Sequence, residues 1–379
     1  MQTEKKPQNR KKLTRTQRRR RRRIKRNAWR VTLSVLTVIG LVLIGALCAG
    51  YAAFKGPSQT MGDLLTVSMQ ETSALKFVPH IYYSNAEVDA ILERNSISAG
   101  DSETDTSLIV IEKPTPTPSP EELAAARASE AEIEATPSPT PPPENLLSSE
   151  DGIDVFSVVG GTYQGYMMVV HDPSRVTVGT CRDKFDGSKG LQLKDIAKRY
   201  DAVAAINGGG FEDSGGVGNG GTPVGLVVSE GKLKHTGKDR NYNITVGFDQ
   251  NNIMVLAKNM SADDAQAKGI RDAITFGPAL IVNGEPASVR GESSGLNPRT
   301  AIGQRKDGAV LMLVIDGRQA SSLGATYSDL ITLMLEYGAV NAINMDGGSS
   351  SLMYYKGEYL NSGVVLTGSR KMPTAFIVR

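Results

Sequence analysis

The chain has 379 residues, too many for one hydrophobic core, and its net charge of +3 at pH 7 conceals two regions of opposite sign. Residues 1–30 contain fifteen Lys and Arg and one Glu, so the rest of the chain contains 28 basic and 39 acidic side chains. Cys48 lies in an apolar segment and Cys181 in the C-terminal part, which excludes an intrachain disulfide within that part. The three histidines lack the spacing of a zinc site.

An uncharged segment of 24 residues, 31–54, follows the basic tail and is long enough to cross a bilayer as a helix. The Lys and Arg residues before it predict that residues 1–30 are cytoplasmic and that everything after residue 54 is outside. The sequence therefore predicts a single-pass type II protein of the cell membrane with an extracellular C-terminal domain. The basic residues are expected to contact anionic lipid head groups, and no nucleic acid partner is expected.

Two alternatives to an anchor remain open at this segment. Gly50-Tyr51-Ala52 fits a small-x-small cleavage site, so a cleaved signal peptide is one alternative. Cys48 suggests a lipoprotein, although Leu47 before it is larger than the residue usual at that position.

Residues 55–112 form a juxtamembrane segment in which 61–92 contains helix-compatible patches interrupted by Pro79. We predict a short helical element there, with a loosely ordered stalk as the alternative. Residues 113–150 are rich in Pro, Thr and Glu and predict a linker. Because proline fixes φ and removes a donor, this linker is expected to be an extended spacer.

From residue 151 to residue 379, short apolar runs alternate with glycine turns. In chain order, strands are predicted at residues 166–171, 175–178, 202–206, 224–228, 279–282, 300–303, 309–315, 352–355 and 375–378, and helices at 191–200 and 328–336, the latter with Ser328 as N-cap. Four dipeptides predict hairpin turns: Glu230-Gly231, Asn283-Gly284, Asp307-Gly308 and Lys356-Gly357. We infer one α+β domain with a large mixed, mostly antiparallel sheet and few helices.

A short segment occurs twice in this domain. Residues 200–207 and 337–344 agree at six of eight positions, and each ends in Asn just before a glycine cluster. If the two segments are neighbouring strands of one sheet, Asn207 and Asn344 lie at the same rim, where ligands of α/β folds bind.

Four segments interrupt the apolar pattern with polar residues: 207–211, 297–301, 315–318 and 344–349. A hairpin with its tip at Asp307-Gly308 would bring Arg299 and Arg318 to one end, where paired N–H groups suit phosphate or carboxylate. Asp316 and Asp346 would supply the two carboxyl groups that glycoside hydrolysis usually requires. The alternatives are a surface ion pair for each Arg and a turn cap or cation ligand for each Asp.

In this order, the four segments resemble the phosphodiester glycosidase family, in the form of a membrane-anchored bacterial relative, from about residue 160 to the end of the chain. The resemblance implies hydrolysis of a sugar attached through its anomeric oxygen to a phosphodiester. We predict catalytic roles for Asp316 and Asp346. The predicted substrate-binding residues are Asn207, Gly208, Gly209, Arg299, Thr300, Arg318, Asn344, Gly347, Gly348 and Ser349.

The sequence therefore predicts a cell-surface hydrolase that acts on a phosphate-containing glycan of the cell wall or an exopolysaccharide. A non-catalytic domain that binds an anionic glycan and organises a surface assembly is the alternative. No cofactor is expected, although Asp316, Asp346 and the Asn207 carbonyl are oxygen ligands of the type that Ca²⁺ or Mg²⁺ accepts.

Overall fold

The computed structural model describes residues 14–72, 75–99, 103–111, 143–213, 218–237, 244–292, 294–361 and 370–379. They belong to two compact units, 1–62 and 63–379, and each unit is described by itself. Most of the predicted linker, residues 112–142, lies outside the described residues.

The first unit is dominated by helix α1 (Arg15–Lys55), which Thr14 caps through a reciprocal capping box with Gln17. Within it, residues 23–55 are long and apolar enough to span a membrane. A signal sequence would meet the same criterion, so the type II topology stays a prediction.

The second unit begins with helices that the sequence assigned to a separate juxtamembrane segment. Helix α2 (Gln59–Gln70) ends in this unit, and α3 (Pro79–Tyr82), α4 (Asn85–Arg94) and a 3₁₀ turn (Thr106–Leu108) follow. Strand β1 (Ile97–Ser98) pairs with β15 (Ser288–Val289). Because these elements pack against the strands after residue 143, the structure moves the start of the domain from residue 151 to residue 63.

An eight-stranded sheet is the largest among the described residues, in the order β14-β13-β18-β16-β17-β4-β3-β2. Its strands are β2 (Leu146–Glu150), β3 (Ile153–Val159), β4 (Gln164–Val170), β13 (Ala279–Val282), β14 (Glu285–Pro286), β16 (Arg299–Arg305), β17 (Val310–Ile315) and β18 (Ala339–Met345). Strand β2 corrects the predicted linker end, because the turn at Asp151-Gly152 folds residues 146–150 onto β3.

Two five-stranded sheets and a short strand pair complete the described β-structure. The first has the order β11-β10-β12-β8-β9, with β8 (Val227–Ser229), β9 (Lys232–His235), β10 (Ile244–Asp249), β11 (Met254–Lys258) and β12 (Ile270–Phe276). The second has the order β20-β19-β7-β22-β5, with β5 (Val176–Thr180), β7 (Ala204–Asn207), β19 (Met353–Tyr355), β20 (Glu358–Tyr359) and β22 (Thr374–Val378). Strands β6 (Leu191–Gln192) and β21 (Lys371–Met372) form the pair.

Every strand pair in the described part of the chain is antiparallel, and the predicted α+β class is confirmed. All four predicted hairpin turns are also confirmed, between β8 and β9, β13 and β14, β16 and β17, and β19 and β20. The main core lies between the three large sheets, where residues such as Ile206, Phe248, Ile302, Met312 and Phe376 are fully buried.

Three further helices of the second unit are α5 (Leu193–Arg199), α6 (Ala262–Ala267) and α7 (Tyr327–Glu336), and another 3₁₀ turn lies at Pro173–Arg175. Helix α7 covers the outer face of the eight-stranded sheet through Leu330 and Met334. The predicted N-cap Ser328 is wrong. Thr326 caps the helix instead, because its hydroxyl accepts from the Asp329 amide in a capping box, and the helix starts one residue earlier.

Candidate active site

A cavity of about 790 Å³ opens in the second unit, where the ends of β16, β17 and β18 meet the loop after α2. Its walls include seven of the predicted site residues: Arg299, Arg318, Asn344, Asp346, Gly347, Gly348 and Ser349. The predicted hairpin places the two arginines together, since Arg299 pairs with Ile315 in the β16–β17 register and Arg318 follows that strand.

The other predicted polar residues support this wall instead of lining the cavity. The buried Asn207 amide donates to the Asp346 backbone oxygen at 2.6 Å. Its Oδ1 accepts from the Thr300 hydroxyl at 2.7 Å and from the Leu352 amide at 3.2 Å. Because both ends of the Asn207 side chain are engaged, Asn207 and Thr300 hold the Asp346 loop in this structure, and their predicted role in substrate binding stays a prediction.

The repeated segments converge here although they lie in different sheets. Strand β7, which ends at Asn207, belongs to a five-stranded sheet, whereas β18, which contains Asn344, belongs to the eight-stranded one. The condition that the two segments are neighbouring strands of one sheet is therefore not met. The two strand ends nevertheless meet, since the Asp346 amide donates to the Gly208 carbonyl at 3.3 Å.

Gly208 and Gly209 allow this close approach of backbones. A Cβ on Gly208 would lie 2.7 Å from the Thr374 hydroxyl oxygen, and one on Gly209 would lie 2.8 Å from the Thr275 carbonyl oxygen. These glycines are therefore needed for packing between strands, and neither lines the cavity.

Asp316 also lies off the cavity wall. Its side chain is buried and accepts from the Asn361 amide at 3.0 Å. Asn361 donates to the Ser351 carbonyl at 2.9 Å, so Asp316 is linked to the loop that follows Asp346. Of the two predicted catalytic carboxyl groups, the one of Asp346 lines this cavity, and the catalytic role of Asp316 stays a prediction.

Asp346 directly follows β18, at the point where Gly347 and Gly348 turn the chain into a 3₁₀ turn (Gly348–Ser350). The pKa of the Asp346 carboxyl is raised to about 6, mainly by burial and to a smaller extent by the charge of Asp213. A hydrogen bond with Ser350 and the charge of Arg370 oppose that rise. Asp346 forms no salt bridge within the described ranges. A carboxyl group with such a pKa is suited to proton transfer near neutral pH.

The guanidinium of Arg299 is almost fully engaged by the protein. Its Nη1 lies 2.6 Å from a carboxylate oxygen of Glu71, and its plane lies over the Tyr327 ring at 4.6 Å. Its other nitrogens donate to the backbone oxygens of Ser294, Gly295 and Ala325. Arg299 can therefore grip a phosphate through paired N–H groups only if Glu71 is displaced.

Arg318 is differently placed. It adopts a left-handed backbone conformation, φ +58°, which is uncommon for a residue other than glycine. Its Nη2 donates to the Thr72 hydroxyl at 2.7 Å and to Asn297 Oδ1 at 2.8 Å. Burial, and then the charge of Arg299, lower the pKa of Arg318, while the charge of Glu71 opposes them. No salt bridge engages Arg318 in the part of the chain that the structure describes.

Asn344 presents a polar atom that no group in the described part of the chain satisfies. Its side chain is 2% exposed and its amide donates to the Gly277 carbonyl at 2.9 Å. Its Oδ1 has no hydrogen-bond partner among the described atoms, and the residue lines the cavity. A ligand hydroxyl could supply the missing donor.

Several cavity residues had no signal in the sequence. Glu71, Thr72 and Lys76 come from the segment before the polar motifs, and Asp213 and Arg370 form a salt bridge across the opposite wall. These residues reach the cavity through contacts between distant parts of the chain, which no local pattern records.

No group of three or more His, Cys, Asp or Glu side chains that could hold a metal occurs among the described residues. Asp346 is the one carboxylate of the predicted cation ligands that lines the cavity. The Ca²⁺ or Mg²⁺ alternative stays a prediction.

The described part of the domain is thus an antiparallel α+β fold with a cavity lined by arginine, aspartate and glycine-loop residues. The model of the phosphodiester glycosidase family matches residues 200–379.

Individual proteins are similar to parts of the chain. The SPbeta prophage-derived uncharacterized protein YomE of Bacillus subtilis (strain 168) is 33% identical over 175 residues, which are 44% of this chain and 26% of that protein. The chain thus spans about a quarter of the length of this relative.

Two solved structures are also similar. The catalytic domain of zebrafish N-acetylglucosamine-1-phosphodiester alpha-N-acetylglucosaminidase, auto-inhibited by its pro-peptide, has a TM-score of 0.49 at 22% identity, over 64% of this chain and 86% of that one. A putative exported protein from Burkholderia pseudomallei K96243 has a TM-score of 0.41 at 18% identity, over 57% and 74% of the two chains.

Proposed function

We propose that the chain is a cell-surface hydrolase that cleaves the glycosidic bond of a sugar-1-phosphodiester in a wall polysaccharide or exopolysaccharide. Helix α1 would anchor it in the membrane, with residues 63–379 outside. One observation carries the proposal. The Asp346 carboxyl and the Arg318 guanidinium line the same cavity, and neither forms a salt bridge among the described residues.

In the proposed reaction, Arg318 holds a phosphate oxygen and Asp346 acts as general base. Asp346 takes a proton from water, and the water oxygen bonds to the anomeric carbon. The bond between that carbon and the phosphate oxygen breaks, and its electron pair goes to the phosphate.

One carboxylate on the wall is sufficient for this leaving group. A phosphomonoester has a second pKa of about 6, so it departs as an anion at neutral pH without a proton from a second acid. The charge that develops on the departing oxygen is compensated by Arg318. In this proposal Asp316 does not contact the reacting atoms. It positions the loop after Asp346 through its hydrogen bond with Asn361.

The test is to incubate the full chain, in detergent, with a panel of sugar-1-phosphodiesters and to measure free sugar and phosphomonoester. We expect Asp346→Asn to keep binding and to lose turnover by orders of magnitude. Asp263→Asn, an exposed change on α6, is the matched control and should behave as wild type.

Binding of a diester by the wild-type chain without turnover across the panel would contradict hydrolysis. That result would support the alternative of a glycan-binding domain.

A further inference from the structure

One wall of the cavity is built by residues that precede the family-matched region by more than a hundred positions. Glu71, Thr72 and Lys76 follow helix α2, whose end is fixed to the domain. The Ser68 hydroxyl oxygen accepts from the Leu296 amide at 2.9 Å. Asp63 binds the Arg94 guanidinium through both of its carboxylate oxygens, at 2.7 and 2.5 Å. This wall is therefore an integral part of the domain.

Glu71 neutralises the most buried cation of the cavity. The side chain of Arg299 is 4% exposed and that of Glu71 is 30% exposed, and one Glu71 oxygen lies 2.6 Å from Arg299 Nη1. The other Glu71 oxygen accepts from the Tyr327 hydroxyl at 3.3 Å. The carboxylate thus has a fixed position on the cavity wall beside the buried guanidinium.

The charged residues that line the cavity have a small net positive charge. Arg370 is paired with Asp213, as Arg299 is with Glu71. Among the described lining residues, Arg318 and Lys76 are the cations without a salt bridge, and ionised Asp346 offsets one of them. The balance is about one positive charge, which matches an anion with a single charge.

We propose that Glu71 is a specificity-determining residue that restricts the site to singly charged phosphate groups. A phosphodiester carries one negative charge, whereas a phosphomonoester carries about 1.5 to 2 at neutral pH. The second charge of a monoester would meet the Glu71 carboxylate, which already neutralises Arg299. This inference rests on the proposed function for its substrate, and it also explains how the product leaves, since hydrolysis converts the favoured monoanion into a disfavoured dianion.

Methyl sulfate and inorganic sulfate compare one charge with two, because both have a tetrahedral sulfur and they carry one and two charges at pH 8. Binding of each to the full chain in detergent is measured by calorimetry at constant ionic strength. The corresponding Arg318→Gln protein is subtracted, so that binding to the basic N-terminal tail cancels.

The wild-type chain is expected to bind methyl sulfate more tightly than sulfate. In Glu71→Gln the ratio should shift toward sulfate by about tenfold, the value of roughly one charge-assisted hydrogen bond. Glu103→Gln removes an acid of the same upstream region that pairs with Lys268 on the surface, and it should leave the ratio unchanged.

A wild-type chain that binds sulfate as tightly as methyl sulfate overturns the proposal without any variant. An equal gain for both anions in Glu71→Gln also overturns it, because Glu71 would then only block the site. Neither result depends on turnover, so a failure here is distinguishable from a failure of the proposed hydrolysis.

Discussion

At the scale of single residues, Asp346 has the most consequential environment. Its pKa lies near 6 in the folded chain and near 3.8 without burial, so ionisation of this group opposes folding. The contribution of the neutral Asp346 side chain to the free energy of unfolding is fully present below about pH 3.8, and it is lost as the pH rises through about 6. The carboxylate required as a base at neutral pH is therefore held there by the rest of the fold.

This environment predicts that Asp346→Asn stabilises the chain while it abolishes turnover. At pH 8 the variant should unfold with a free energy up to about 3 kcal/mol higher than wild type, since one pKa unit corresponds to about 1.4 kcal/mol. The difference should vanish near pH 4, where the wild-type carboxyl is neutral in the folded chain. Denaturant unfolding of both proteins at the two pH values measures this, and equal stabilities at pH 8 would contradict the burial argument.

The two arginines of the cavity are expected to differ when each is replaced. Arg318→Gln should lower kcat/KM by about 10²–10³, the loss found when one donor to a developing oxyanion is removed, with little change in stability. Arg299→Gln should instead lower the free energy of unfolding by several kcal/mol, because it leaves Glu71 and three backbone oxygens without their donor. Steady-state kinetics and thermal unfolding of both variants test this difference. A larger loss of kcat/KM in Arg299→Gln and a larger loss of stability in Arg318→Gln would contradict it.

At the scale of elements, hairpin turns could be predicted from the sequence, whereas contacts between distant residues could not. Asn283-Gly284 and Lys356-Gly357 predict their hairpins because both residues take positive φ, which a two-residue turn requires. The β16–β17 register follows from the turn at Asp307-Gly308. The position of Glu71 beside Arg299 joins residues 228 apart, and no periodicity or turn residue encodes such a contact.

The junction between helix α2 and the β-domain can be tested by a glycine substitution. Gly295 has φ +61°, and a Cβ there would lie 2.0 Å from the Ser68 hydroxyl oxygen. Gly295→Ala should therefore displace the end of α2, lower activity and increase amide exchange in residues 63–72.

Gly284→Ala is its matched control, since Gly284 has φ +83° but no atom within 4 Å of the added Cβ. It should cost about 1 kcal/mol of backbone strain and leave activity unchanged. Equal effects of the two substitutions would show that α2 is not held at Gly295.

At the scale of the whole molecule, the domain that carries the site is larger than its sequence motifs. It begins at residue 63, and the residues that directly follow helix α2 form a wall of the site. The predicted linker separates this wall from the family-matched region in sequence but not in space. Strand β1, which precedes the linker, pairs with β15 of that region. The composition of the linker gave no indication of that pairing.

The central claim is that the bond between the anomeric carbon and the phosphate oxygen breaks. Hydrolysis of a sugar-1-phosphodiester by the full chain in ¹⁸O-labelled water, followed by mass spectrometry of both products, tests it directly. The proposed reaction puts one ¹⁸O atom into the released sugar at its anomeric carbon and none into the phosphomonoester. Label in the phosphomonoester would mean attack on phosphorus, and it would contradict the assignment of a glycosidase.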